Sequence, residues 1–265
     1  MFFCGIQRIE NILAEVQQEL ADWLTPLNFR QKQNDIYGNR QEGTGDWVLK
    51  DERFKEWERG DVKTLWCPGI PGARKTVLAS HIINHLADTY KSPTIGVAYI
   101  YCEYKDQSSQ TILDLVASLL KQLVQDSSPT FERVKSRYQS HRQQKFRPTL
   151  REVHDTLIFE IKTFSRFFVV VDALDELAEE RKKRYELLDR LQSLGCSLLI
   201  TSRDIGAIRK DLRDAQCMHI RANDDDIRQY IESGILGTSL EDFVAEEPNL
   251  RKEIVDCVTK CADGM

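Results

Sequence analysis

The residues Gly69-Ile70-Pro71-Gly72-Ala73-Arg74-Lys75-Thr76 have the spacing with which a chain wraps a phosphate group. In such a loop backbone N–H groups surround the β-phosphate and the positive end of the following helix faces it. The lysine reaches the β/γ oxygens and the threonine hydroxyl holds Mg2+. Lys75 and Thr76 suit the last two roles. The pattern G-x-x-x-x-G-K-[ST] is met at every fixed position but one, because Arg74 stands where the second glycine belongs. There the chain passes so close to a pyrophosphate that a side chain has little room. Arg74 is expected either to crowd the phosphate, reducing or abolishing nucleotide binding, or to set its guanidinium on a phosphate oxygen. Crowding is the favoured outcome.

A second chemical group closes the apolar run Phe167-Phe168-Val169-Val170-Val171, which ends in Asp172-Ala173-Leu174-Asp175-Glu176. A carboxylate at the carboxyl end of a buried strand can hold Mg2+, and an acid three or four residues on can orient an attacking water. Asp172 takes the metal role, Glu176 the role of base, and Asp175 that of helper. A third group, Thr201-Ser202-Arg203, ends the run Ser197-Leu198-Leu199-Ile200. Arg203 at that sheet edge could sense a γ-phosphate or stabilise transferring charge. Lys75, Asp172 and Arg203, each following a predicted strand, are expected to converge on one crevice.

Short β-type runs and helical runs alternate to position these groups. Strands are predicted at Thr64-Cys67, Ile95-Cys102, Phe167-Asp172, Ser197-Thr201 and Cys217-Ile220. Helical runs are predicted at Lys75-Tyr90, Gln110-Gln125, Thr149-Phe164 and Ala178-Leu194. Alternation of this kind implies crossover units and a parallel sheet, and strands apolar on nearly every residue imply helices on both faces. The expected fold is an α/β sandwich of about five parallel strands. Residues 1–45 read as an amphipathic helix, with apolar positions Ile6, Ile9, Ile12/Leu13, Val16, Leu20 and Trp23/Leu24, followed by an extended linker. Residues 46–222 read as the phosphate-binding core. Residues 223–265 read as a helical segment that begins a following subdomain, its first helix capped near Asn223-Asp224-Asp225-Asp226.

Composition narrows the function. The chain has 265 residues, 41% hydrophobic and 30% charged, with a net charge of −5. Its longest purely apolar run, Val97 to Cys102, is far short of the roughly 20 residues that span a bilayer. Seven cysteines without a C-x-x-C pair suit a reducing, cytoplasmic setting, and Cys257 and Cys261 read as ordinary helix thiols. An acidic pI near 5.7 gives no electrostatic reason to expect nucleic acid as a partner.

Trp66 through Thr76, Asp172 through Glu176, and Thr201-Ser202-Arg203 together resemble fungal NACHT-type NTPases. More closely, they resemble the nephrocystin-3-like N-terminal module of ankyrin-repeat and NLR-like proteins. Leu20 to Leu24, Gly43 to Trp47 and Tyr101 to Lys105 are similar to that family's lead-in and second strand. The resemblance implies a P-loop NTPase of the STAND class, in which ATP or GTP bound with Mg2+ holds an oligomerising state and weak hydrolysis or exchange resets it. Self-association or protein partners through the N-terminal helix are expected, and, with no long apolar run, no membrane is expected. A non-catalytic scaffold whose loop is impaired by Arg74 is the alternative. The end of the chain, Lys260 to Met265, is similar to the start of a family segment that normally continues, which implies a cut or truncated product.

Overall fold

The computed structural model describes residues 2–106, 109–177, 181–221, 223–235, 238, 241, 244 and 247–262, and says nothing of the side chains of 2–10, 181, 248, 261 and 262. Five strands, β1 (Thr64–Pro68), β2 (Ile95–Tyr101), β3 (Arg166–Asp172), β4 (Ser197–Ser202) and β5 (Gln216–Cys217), form one sheet in the order β2-β3-β4-β1-β5. Every ladder is parallel, with Val169 beside Leu198 and Trp66 beside Ile200. Phe167 through Asp172 are all buried. Successive residues of a strand point to opposite faces, so a strand buried throughout must be covered on both. The predicted fifth strand is shorter than expected, because only Leu65 and Trp66 pair with it, and Ile220 returns as a single bridge to Gly69.

Helix α1 (Phe2–Leu24) contains the predicted stripe and extends it. Its second half buries Leu20, Ala21 and Leu24, while Ile12 and Leu13 are about half exposed. Ile6 and Ile9 lie outside the described side chains. The segment read as an extended linker is a helix, α2 (Phe29–Gly38), whose first turn is capped by the Asn28 side chain accepting from the Gln31 N–H. Phe29 is buried edge-on against Tyr101. Gln33 is buried too, and its amide donates to the Ser80 carbonyl at 2.9 Å. Polar composition concealed this helix because one of its two buried residues is a glutamine whose amide is satisfied inside. Two short helices, α3 (Asp46–Lys50) and α4 (Glu52–Arg59), lead into β1. The fully buried Trp57 packs its ring 5.3 Å from that of Phe168.

Helix α5 (Lys75–Thr89) follows β1 and lies against β2, β3, β4 and α2. Helix α6 (Ile112–Asp126) packs on β2, and α1, α7 (Ser128–Arg137), α9 (Leu150–Ile161) and α10 (Arg181–Gln192) gather around it; α8 (Gln139–Gln143) joins α7 to α9. Helices α7 and α8 were not expected, since their sequence is polar and only Thr130, Phe131 and Val134 of the pair are buried. The predicted start of α10 at Ala178 falls outside the described residues. Among the described residues, helices α11 (Gly206–Asp211), α12 (Asp224–Ile235) and α13 (Pro248–Ala262) follow β4. Parallel sheet, helical cover and a phosphate-type loop after β1 make this the α/β architecture of P-loop NTPases.

Helix α9 opens with a capping box, in which the Glu152 N–H donates to the Thr149 hydroxyl and the Thr149 N–H donates to the Glu152 carboxylate. Thr149→Ala is expected to lower stability by about 1 kcal/mol, the usual worth of such a cap. A shifted urea midpoint with unchanged slope will show this, and an unshifted midpoint contradicts it.

Candidate functional site

The loop is built by close approach. The Gly69 N–H donates to the Ser202 carbonyl at 3.0 Å, joining the ends of β1 and β4. A Cβ on Gly69 would sit 2.8 Å from the Ile220 carbonyl oxygen, so no other residue fits there without displacing backbone. The loop then turns through Gly72 at φ 83° and Arg74 at φ 54°, ψ 31°, and α5 starts at Lys75. Arg74 thus takes a left-handed conformation that costs a non-glycine residue about 1–2 kcal/mol. The Lys75 ammonium bends back over its own loop and donates to the Gly69 carbonyl at 3.0 Å and the Ile70 carbonyl at 2.9 Å. Burial lowers its pKa, and the nearby Asp175 and Asp172 carboxylates oppose that shift.

The structure brings the predicted acids and the arginine to this edge. Asp172 ends β3 and is 2% exposed. The Thr201 hydroxyl donates to its Oδ1 at 2.5 Å while accepting from the Ala173 N–H at 3.0 Å. Thr76 at the start of α5 also favours the charged form of this carboxylate, and burial outweighs both influences, raising its pKa. Ala173 is left-handed, at φ 55°, and starts the short 3-10 turn Leu174–Glu176 that aims the next two acids. Asp175 receives Arg203 through two donors, the backbone N–H at 2.9 Å and Nε at 2.5 Å. The Glu176 carboxylate accepts from the Tyr104 N–H at 3.2 Å, beyond the end of β2. Lys75, Thr76, Asp172, Asp175, Glu176 and Arg203 therefore share one neighbourhood at the carboxyl edge, with Asp175 committed to Arg203.

Arg74 has a partner the sequence did not suggest. Its guanidinium carbon lies 3.8 Å from the centroid of the Tyr230 ring on α12. Beside this pair is a cavity of about 220 Å3, lined by Trp47, Ala73, Val77, Leu78, Ile227 and Tyr230 among others. The face of α12 that closes it is fastened to the lead-in. The Asp226 Oδ2 accepts from the Gly45 N–H at 2.9 Å and from Trp47 Nε1 at 3.1 Å, and the Gln229 amide donates to the Glu42 carbonyl at 2.8 Å. Burial raises the Asp226 pKa. Positions 226, 229 and 230 lie on one helical face. That spacing was the available signal, but nothing local says what the face meets.

A magnesium ion fits the residues at the loop. Thr76 and Asp172 are hard oxygen donors at neighbouring ends of α5 and β3, and a cation between them would relieve a buried carboxylate. Among the described residues no group of three or more His, Cys, Asp or Glu side chains could hold a metal by itself. Such an ion would thus depend on nucleotide and water for its other ligands.

Residues 43–203 match the family described as Nephrocystin 3, N-terminal. Over 177 residues the chain is 25% identical to the vegetative incompatibility protein HET-E-1 of Podospora anserina, covering 64% of this chain and 13% of that protein. Among solved structures, the Aeropyrum pernix ORC1 protein in complex with DNA superposes with a TM-score of 0.47 at 16% identity, over 69% of this chain and 46% of that one. The ORC2 protein of the same organism, in ADPNP–ADP complexes, gives 0.45 at 12% identity, over 72% and 50%. The chain thus spans about an eighth of the curated relative and half or less of either archaeal chain.

Proposed function

Because this chain belongs to the nephrocystin 3 N-terminal family, a NACHT-type module, we propose that it acts as a nucleotide-dependent switch that binds ATP or GTP with Mg2+ and hydrolyses it weakly. The observation that carries this reading is the meeting of Lys75 with Asp172, Asp175, Glu176 and Arg203 at the mouth of the loop after β1. On this reading the nucleotide's phosphates replace the Gly69 and Ile70 carbonyls as acceptors for the Lys75 ammonium, and loop N–H groups enclose the β-phosphate. Mg2+, held by Thr76 and Asp172, would neutralise charge between the β- and γ-phosphates. Arg203, steadied by Asp175, faces the γ-phosphate, and Glu176 orients water. The half-exposed Ile12 and Leu13 of α1 are read as contacts for a protein partner or a second copy, in a cytoplasmic setting.

Titration of the purified chain with ATP and GTP, with and without Mg2+, tests the reading. Mg2+-dependent binding of either nucleotide supports it, and failure of both overturns it in favour of a scaffold. If the bound nucleotide is hydrolysed, Glu176→Gln should lower turnover by about 100-fold and leave binding within a factor of two, since it removes a base and little volume. Equal turnover in both proteins would move the role of base elsewhere.

A further inference from the structure

We infer that Tyr230 is a positioning residue for the phosphate loop: its ring holds the Arg74 guanidinium against α12, and so keeps this long side chain away from the phosphate position. The inference rests on the nucleotide-binding reading above. Its first support is geometric. Arg74 is in a left-handed backbone conformation at the last residue before α5, the position where the loop backbone would pass close to a phosphate. Its guanidinium is found 3.8 Å from the Tyr230 centroid, well within the range of cation–π attraction.

The second support is that the ring is held independently of Arg74. Asp226 and Gln229, on the same face of α12, are hydrogen-bonded to Gly45, Trp47 and Glu42. The platform therefore exists whether or not the arginine uses it. The glycine expected at position 74 would need no platform, so a ring there answers a difficulty that arginine creates. Without the ring, a mobile cation beside Lys75 competes with the loop N–H groups for the same phosphate oxygens and fills the space they must close around.

The test is a titration with Mg-ATP and Mg-GTP of five proteins: the native chain, Tyr230→Phe, Tyr230→Ala, Arg74→Gly, and Arg74→Gly combined with Tyr230→Ala. Tyr230→Phe keeps the ring and should bind within twofold of the native chain. Tyr230→Ala should bind about three- to tenfold more weakly, the range a partly exposed cation–π contact implies. In the Arg74→Gly background the same alanine substitution should change nothing beyond twofold. Loss of the same size in both backgrounds overturns the inference, because Tyr230 would then act on the nucleotide directly. An unchanged Tyr230→Ala overturns it too. Binding by none of the five overturns the nucleotide reading itself and this inference with it. In ligand-free protein the Arg74 side-chain resonances should be shifted upfield by the ring in the native chain and in Tyr230→Phe, and lose that shift in Tyr230→Ala. Absence of the shift in the native chain counts against the contact. Tyr230 is half exposed, so its truncation leaves the core intact.

Discussion

Lys75→Ala is expected to weaken nucleotide binding at least a hundredfold, with little change in the fold. The ammonium sits at the start of α5 with the Gly69 and Ile70 carbonyls as its acceptors, and it is surrounded by Asp172, Asp175 and Glu176. Burial already works against its charge. An arriving phosphate offers stronger acceptors and extra negative charge, so the lysine gains more from nucleotide than from its present partners. A hydrogen bond to a charged group is worth about 1.5–3 kcal/mol, and two such bonds account for the hundredfold. In the ligand-free chain the loss is small, because the Lys75 ammonium is only partly buried and Ile70 is exposed, so water can replace it there. Titration beside a thermal melt will separate the two effects. Binding by the Lys75→Ala chain within threefold of native would mean that the loop does not hold phosphate in this way.

Asp172→Asn should remove the Mg2+ dependence of binding and, at the same time, stabilise the ligand-free protein. Asparagine keeps an oxygen for the Thr201 hydroxyl but carries no charge to attract a cation. Nucleotide affinity in Mg2+ is then expected to fall by about tenfold to a hundredfold, and affinity in its absence to stay level. The stability change has a definite sign. Burial raises the Asp172 pKa above its ordinary value of 3.8, so the folded state holds the proton more tightly than the unfolded chain. The stabilisation is complete below the unfolded pKa and is lost as pH rises through the raised folded value. Thermal midpoints of the native chain should accordingly fall across that window relative to those of Asp172→Asn. Parallel pH profiles for the two proteins would show that the carboxylate is not strained by its burial.

Strands β1 to β4 are legible in the sequence to within one or two residues, because a strand covered on both faces is apolar throughout. Phe167 to Val171 could hardly be anything else. The loop residues and the acids follow from their position after such strands, and Thr201 is legible only as part of a strand end. Its hydrogen bond to Asp172 depends on β3 and β4 being neighbours, a matter of strand order. Helix α2 is hidden in a polar composition, because one cap and two buried residues decide it. Asn28, Phe29 and Gln33 carry it, amid residues that elsewhere make turns. Arg74 shows the opposite limit. Its unusual type is plain in the sequence, but its partner Tyr230 is more than half the chain away and no local pattern joins them.

The fastening of α12 to the lead-in through Asp226 and Gln229, with Tyr230 of the same face against Arg74, also has a mechanical side. Glu42, Gly45 and Trp47 precede every strand of the sheet, and α12 follows all of them, so these contacts tie the two ends of the core together like a drawstring. A load pulling on the chain beyond Ile235 is borne first by that knot rather than by the strand ladders. Tension therefore reaches Arg74 and the loop it terminates before any strand is sheared. In a longer protein, a segment attached after α12 would have a handle on the loop without touching it.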